Sequence, residues 1–206
     1  FGSGKGYLTF AIHDYLRNTL KAEAQVTGVE LREDMVTLCN AAAAKLEHPG
    51  LVFKCGDVRS VAPSELDVMI ALHACDIATD YAIHTGIRSG ASIIMCSPCC
   101  HKQIRLQIQS PALLKPMLQY GLHLGQQAEM VTDSLRALFL EACGYETKVF
   151  EFISLDHTNK NKMILAVKRA EPGDPAQLLA KIQELKAFYH ITEHCLETLL
   201  RADGYL

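Results

Sequence analysis

No apolar run in the 206 residues reaches the roughly 18–20 positions that a membrane-spanning helix needs. No charged-then-apolar leader closes on a small-residue cleavage site, so nothing here points to secretion. There is no excess of positive charge either. The formal net charge of −3 excludes a uniformly basic nucleic-acid coat, while leaving room for a local basic patch. Internal repeats and low-complexity tracts are absent. A disulfide scaffold is not expected, although there are eight cysteines. A chain that is 49% apolar has core enough without staples, and the adjacent pair Cys99-Cys100 is awkward for ordinary bridging. The expected setting is reducing and cytoplasmic, with no membrane partner. The cysteines are then core thiols, reactive thiols or metal ligands.

What is present reads as strands alternating with helices. A glycine-rich turn, Phe1-Gly2-Ser3-Gly4-Lys5-Gly6, runs into a helix carrying Leu8, Ile12, Tyr15 and Leu16 at helical spacing. Residues 24–29 read as a short buried strand ending at Glu30. A helix over 34–45 is expected to turn Met35, Leu38, Cys39 and Ala42 inward. Residues 51–53 form the next strand, closed by Gly56-Asp57. The apolar run 66–72 suits a central parallel strand. Helix 77–89 and strand 91–95 follow. Helices are expected over 113–120 and 133–143, the second capped by Thr132 or Asp133 and stopped by Gly144. Segments 148–153 and 163–167 read as an antiparallel pair at the sheet edge. Beyond the linker 171–175, Asp174 caps and Pro175 starts a helix with Leu178, Ile182, Leu185 and Tyr189 on one face. A last helix covers about 192–202. This order predicts an α/β fold with a mostly parallel sheet, an antiparallel edge strand and C-terminal helices. A strand normally precedes such a glycine turn, so the first strand is expected to be missing from this chain. The expected division is a domain over 1–170 and a helical extension over 174–206.

In such sheets ligands sit at the carboxyl ends of the strands. Gly2, Gly4 and Gly6 let the backbone approach a nucleotide-like ligand, and free amides at the helix start face it. Glu30 ends its strand 24 residues beyond Gly6, where a carboxylate can accept both ribose hydroxyls. Asp57 closes the next strand and can take an adenine amino group. A P-loop would need Ser or Thr after Lys5, and Gly6 stands there instead. A dinucleotide turn would place its third glycine one residue later, where Tyr7 is. The compact Gly-x-Gly-x-Gly form favours S-adenosylmethionine.

At this point the sequence resembles a class I methyltransferase family. The likeness lies in FGSGKGYL at 1–8, ALHACDIATD at 71–80, SPCCHK at 97–102, and the stretch 132–161. The paired His-x-Cys-Asp and Pro-Cys-Cys-His segments are its most distinctive parts. They are similar to the methyltransferase domain of eukaryotic proteins that also carry a glutathione-S-transferase C-terminal domain. More distantly, they resemble tRNA 2′-O-methyltransferases with CHHC zinc modules. The resemblance covers roughly residues 1–168. It implies a Rossmann-like methyltransferase fold and S-adenosylmethionine as cofactor.

His73, Cys75 and Asp76 end one strand; Cys96, Cys99, Cys100 and His101 follow its expected neighbour. Three readings stay open. In one, the thiols pack while His73, Asp76 and His101 orient an acceptor and one of them serves as base. In another, Cys99 or Cys100 joins His101, His73 or Cys75 around a zinc ion, although adjacent cysteines rarely both bind one ion comfortably. In the third, a cysteine attacks a pyrimidine ring, as in carbon-5 methyltransferases. The assignment carried forward makes Asp76, His73, Cys99, Cys100 and His101 catalytic, with no resident metal.

Lys102, Arg136, His157, Lys160 and Asn161 are the expected substrate-binding residues. With Arg105 and Lys162, the cations among them can hold phosphates without making the whole chain basic. The remaining histidines, among them His13, His84 and His194, read as surface or packing residues. The expected activity is methyl transfer to RNA, tRNA or rRNA. A protein or small-molecule methyltransferase, or a non-catalytic binding module, would use the same features.

Overall fold

The computed structural model describes residues 1–61, 63–72, 74–152, 161–171 and 173–206. The chain divides into two compact units, Phe1–Ala62 and Pro63–Leu206.

In the first unit the glycine turn leads into α1 (Tyr7–Asp14), which ends in a π-helical turn over Tyr15–Thr19. Next come β1 (Val26–Glu30), α2 (Glu33–Lys45) and β2 (Leu51–Cys55). β1 and β2 are parallel, with Val26 opposite Leu51 and Glu30 opposite Cys55. The core is Val36, Cys39, Ala43, Leu51 and Phe53, with Phe10 and Val26 packed against it. The inward face of α2 is therefore rotated by one residue from the expected Met35, Leu38, Cys39 and Ala42. Leu38 is exposed and Ala43 buried. A helix this rich in alanine (Ala41 to Ala44) offers several nearly equivalent faces, and packing under Phe53 chooses among them. On α1 the buried residue is His13, whose ring contacts His48 Nδ1 at 3.0 Å and Pro49 O at 2.9 Å.

The second unit holds β3 (Val68–Ala71), α3 (Ile77–Arg88), β4 (Ile93–Cys96), a short α4 (Lys102–Arg105), a 3-10 turn (Ala112–Leu114) and α5 (Lys115–Leu118). It continues through α6 (Gly121–Ala142), β5 (Tyr145–Glu151), β6 (Lys162–Lys168), α7 (Pro175–Phe188) and α8 (Cys195–Ala202). Its sheet has the order β3-β4-β6-β5. β3 and β4 are parallel, and β6 is antiparallel to both β4 and β5. The later strand thus lies inside the earlier one. The Met163–Val167 run is continuously apolar and suits an inner position, whereas β5 carries Glu146, Lys148 and Glu151 to the edge. The fold is the expected α/β, Rossmann-like methyltransferase type, with parallel pairs, an antiparallel edge strand and C-terminal helices.

Helix α3 packs closely on the sheet, since a Cβ added at Gly86 would lie 2.9 Å from Ile94. Helix α6 differs most from expectation. It runs for 22 residues from Gly121, twelve before the anticipated start. Thr132 is no cap: its hydroxyl donates to Ala128 O at 2.6 Å within the helix. Gly121 and Gly125 weaken the helical pattern locally, yet both sit beside the Arg105 guanidinium, where a Cβ would approach to 3.9 and 3.7 Å. Asp174 caps α7 as expected, accepting from Ala176 N at 3.0 Å. Helices α7 and α8 pack against α6 and α3 within the unit. Among the described residues, no helix is long and apolar enough to cross a membrane.

Candidate functional site

The glycine turn is built by positive φ angles of 71°, 52° and 75° at Gly2, Gly4 and Gly6, values that only glycine takes without strain. Gly2 N and Ser3 N donate to Val29 O at 2.9 and 3.1 Å, tying the turn to the end of β1. Gly4 N donates to Glu30 Oε2 at 2.8 Å. Glu30 Oε1 accepts from Leu31 N and Arg32 N at 3.0 and 3.2 Å. One carboxylate therefore closes the turn onto the strand end. Oε1 is filled, and Oε2 retains one acceptor direction.

Gly4 and Gly6 face different surroundings. A Cβ at Gly6 would meet Phe53 at 2.9 Å and Cys39 at 3.2 Å, while one at Gly4 would meet nothing within 4 Å. The turn is pressed on the core at Gly6 and open at Gly4. Open backbone beside a carboxylate with a free acceptor direction suits a ligand that carries ribose hydroxyls, so these residues fit the expected cofactor. Asp57 is gripped by its neighbour: Arg59 donates from N, Nε and Nη2 at 2.8, 2.9 and 2.7 Å. That guanidinium holds the Asp57 carboxyl down at about 2.

In the second unit, register brings the two strand ends together. Ala71 lies opposite Cys96, so the residues four or so beyond each strand become neighbours. Cys75 Sγ is 3.2 Å from Cys99 Sγ, which is 3.7 Å from Cys100 Sγ. Cys96 stands three residues before Cys99 but stays fully buried on β4. Cys75 is the residue that meets Cys99. Burial, with Cys75 and Cys100 alongside, pushes the Cys99 thiol up to about 12. It is protonated at neutral pH, whereas attack on a ring requires the thiolate.

Asp76 has φ 52° and ψ −124°, a conformation costly for a residue with a Cβ. Two contacts hold it: its Oδ1 accepts from Gln103 N at 3.1 Å, and its carbonyl accepts from Arg136 Nη2 at 2.9 Å. Arg136 is 1% exposed. It donates from Nε and Nη2 to the two carboxylate oxygens of Asp80 at 2.9 and 3.0 Å, and reaches Asp133 Oδ1 at 3.4 Å. Burial opposes its charge, but the two aspartates outweigh burial and raise its pKa. The structure thus places Arg136 in the interior, bracing the Asp76 loop, and not on a surface where it would meet phosphates.

His101 is the other unusual group. Its side chain is 7% exposed, and neither ring nitrogen has a hydrogen-bond partner among the described residues. Burial, helped by Arg136, lowers its pKa to about 4, so the ring is neutral at pH 7. Asp133 Oδ1 lies 3.8 Å from its Nδ1, too far for a hydrogen bond. Burial raises Asp133 to about 7 despite the nearby Arg136. Glu129 completes a cluster with His101 and Asp133 and pairs with Lys162 at 2.7 Å. His101, Glu129 and Lys162 border a groove of about 760 Å³ lined also by Cys99, Cys100, Lys102 and Arg105.

Of the expected site residues, Asp76, Cys99, Cys100, His101 and Lys102 are gathered here. Asn161 is fully buried at the start of β6. His73, His157 and Lys160 lie outside the described residues. Sequence reading missed Glu129 and Asp133 as members of the cluster. The available signal was their i, i+4 spacing on a helix followed by Arg136 three residues on.

A Rossmann-like fold with a Gly-x-Gly-x-Gly turn and an acid at the next strand end defines the class I methyltransferase type. Residues 1–107, just over half the chain, match the family model described as "Methyltransferase domain", and the chain belongs to that family. S-adenosylmethionine is the cofactor to which this family and fold point. The solved 23S rRNA methyltransferase ErmE shares the fold, with a TM-score of 0.52 and 17% identity over 97% of this chain and 73% of that one. Glutathione S-transferase C-terminal domain-containing proteins of Homo sapiens and Macaca fascicularis are each 29% identical over 125 residues. The match covers 49% of this chain but only 20% of those relatives, so the chain corresponds to about one fifth of their length.

Proposed function

We propose that the protein transfers the methyl group of S-adenosylmethionine to RNA, either tRNA or rRNA. Residues 1–170 form the transferring domain, and residues 174–206 form a helical extension that braces α3 and α6. The carrying observation is the buried, unpartnered His101 ring on the wall of a groove bordered by Lys102 and Arg105. The basic rim suits a phosphate backbone. The paired Cys/His segments resemble those of tRNA 2′-O-methyltransferases, and the fold neighbour named above acts on rRNA.

The proposal assigns the following roles. The Gly2–Gly6 turn receives the methionine part of the cofactor. Glu30 Oε2 accepts a ribose hydroxyl, and Asp57 accepts the adenine amino group. Bound there, the cofactor supplies an electrophilic methyl group on a sulfonium. His101, neutral at pH 7, would take the proton that the acceptor loses as it bonds to the methyl carbon and that carbon's bond to sulfur breaks, releasing a neutral thioether. Asp133 then faces a positive ring at 3.8 Å and favours it. Asp76 and Cys100 shape the acceptor's place; Arg136 is a positioning residue that acts through Asp76. Most of the rate comes from alignment.

The test uses full-length protein, methyl-labelled cofactor and an extract from cells lacking the gene, with halves treated by ribonuclease or protease. Ribonuclease-sensitive label is expected, and nucleoside analysis then names the atom. Label that survives ribonuclease overturns the RNA acceptor. No label in any fraction overturns catalysis and leaves a binding module.

A further inference from the structure

The three thiols of Cys75, Cys99 and Cys100 come from two loops and meet at one point. Their sulfurs all lie within 4.8 Å of one another. A tetrahedral zinc ion with Zn–S bonds of about 2.3 Å holds its sulfurs about 3.8 Å apart. The separations of 3.2 and 3.7 Å lie just below this spacing and the third is within 4.8 Å, so side-chain shifts of about an ångström or less reach it. No backbone rearrangement is needed. Cys75 follows β3 and Cys99 and Cys100 follow β4, so parallel register alone brings the ligands together.

We propose that Cys75, Cys99 and Cys100 bind a zinc ion; sequence neighbours seldom share one ion, but the Cys99 and Cys100 sulfurs already sit 3.7 Å apart, close to the spacing of two ligands. On binding, three S–H bonds release their protons to solvent and three Zn–S bonds form, giving the site a net charge of −1. A water fills the fourth position on the groove side, where Cys99 and Cys100 are part of the wall. The ion staples the β3–α3 loop to the β4–α4 loop. That fixes Asp76 and His101, each adjacent in sequence to a ligand. Three thiolates favour zinc over magnesium or calcium, which prefer oxygen ligands. The nearby set of His101, Glu129 and Asp133 is the competing cation site, with harder ligands. The inference concerns this chain's own thiols and does not depend on RNA being the acceptor.

The experiment takes the full protein, purified with a non-chelating reductant, and measures its metal content by mass spectrometry. Zinc is then exchanged for cobalt(II) and the absorption spectrum recorded. One zinc per chain and an intense thiolate-to-cobalt charge-transfer band are expected. Separate Cys75→Ser, Cys99→Ser and Cys100→Ser variants, checked for folding by circular dichroism, should each bind zinc at least about tenfold more weakly. Cys55→Ser, at an exposed position on β2, should not. The proposal is overturned by protein that neither carries zinc nor takes it from a competing chelator dye. It is equally overturned by a cobalt spectrum without the thiolate band, which would place the ion on the harder set. A Cys75–Cys99 disulfide in freshly lysed, alkylated cells would also sink it. The wild-type spectrum decides the matter even where a variant fails to fold.

Discussion

The glycine turn and the strand-end cluster solve different problems. At the turn, most partners are backbone atoms, and Glu30 and Val29 satisfy them from within thirty residues of sequence. At the cluster, side chains from β3–α3, β4–α4 and α6 meet, up to 60 residues apart. Polar atoms of His101 and Asp133 remain buried without partners among the described residues. The turn is a finished local object; the cluster is held by tertiary packing and keeps reactive capacity.

The largest expected effect falls on the frame of the cluster. Arg136→Met leaves the buried carboxylates of Asp80 and Asp133 without their cation and releases the Asp76 carbonyl. Stability should drop by about 3–5 kcal/mol, read as a lower urea midpoint. Arg136→Lys should recover only part, because an ammonium cannot make the paired contacts with Asp80. A loss below about 1 kcal/mol would mean that the interior network is not the frame, and the contrast between the two regions would fail.

A smaller effect comes from His194, which is 1% exposed, has no ring-nitrogen partner among the described residues and packs beside Phe139 at 5.1 Å. Burial lowers its pKa from 6.5 to about 4. Between those values the unfolded chain binds a proton that the folded chain does not, so stability falls as pH drops from 6.5 toward 4 and levels off below. The full span is up to about 3 kcal/mol. Asp133, raised to about 7, acts with opposite sign: its contribution is present at low pH and is lost as pH rises through 7. His194→Leu should make the acid limb of a stability-against-pH curve shallower, with His101 supplying the remainder, while leaving the neutral limb unchanged. An unaltered acid limb would show that His194 is not the group that titrates.

The smallest effect sharpens the other side of the comparison. Glu30→Gln keeps one acceptor oxygen for the turn but weakens a bond to ribose hydroxyls. Cofactor affinity by calorimetry should fall by about 1–2 kcal/mol, with the melting temperature shifted by only a few degrees. Glu30→Ala is the less selective change, because it also frees the amides of Gly4, Leu31 and Arg32. Unchanged affinity in Glu30→Gln would remove Glu30 from the cofactor site.

Legibility followed the range of the interactions. Positive φ at three glycines, the acid at the end of β1, the cap at Asp174 and the alternation of strands with helices are local features. Each was readable as a residue type at a spacing. The start of α6 was not, because Gly121, Gly125 and the Thr132-Asp133 pair all imitate a boundary that tertiary packing overrides. Arg136 read as a phosphate ligand because its charge is visible in sequence and its partner Asp80, 56 residues away, is not. His101 was visible as a candidate, but its lack of partners became evident only from its surroundings.

The sequence by itself determined the class of fold, the glycine turn with its strand-end acid, and which residue types could carry chemistry. Hydrophobic period, glycine and capping chemistry act over a few residues and leave their mark in order along the chain. Tertiary structure alone decided that β6 lies inside β5, that Arg136 is a buried brace, and that Cys75 rather than Cys96 joins Cys99. Those outcomes depend on which distant surfaces exclude water together, and burial then sets which charges must pair and which thiols can meet.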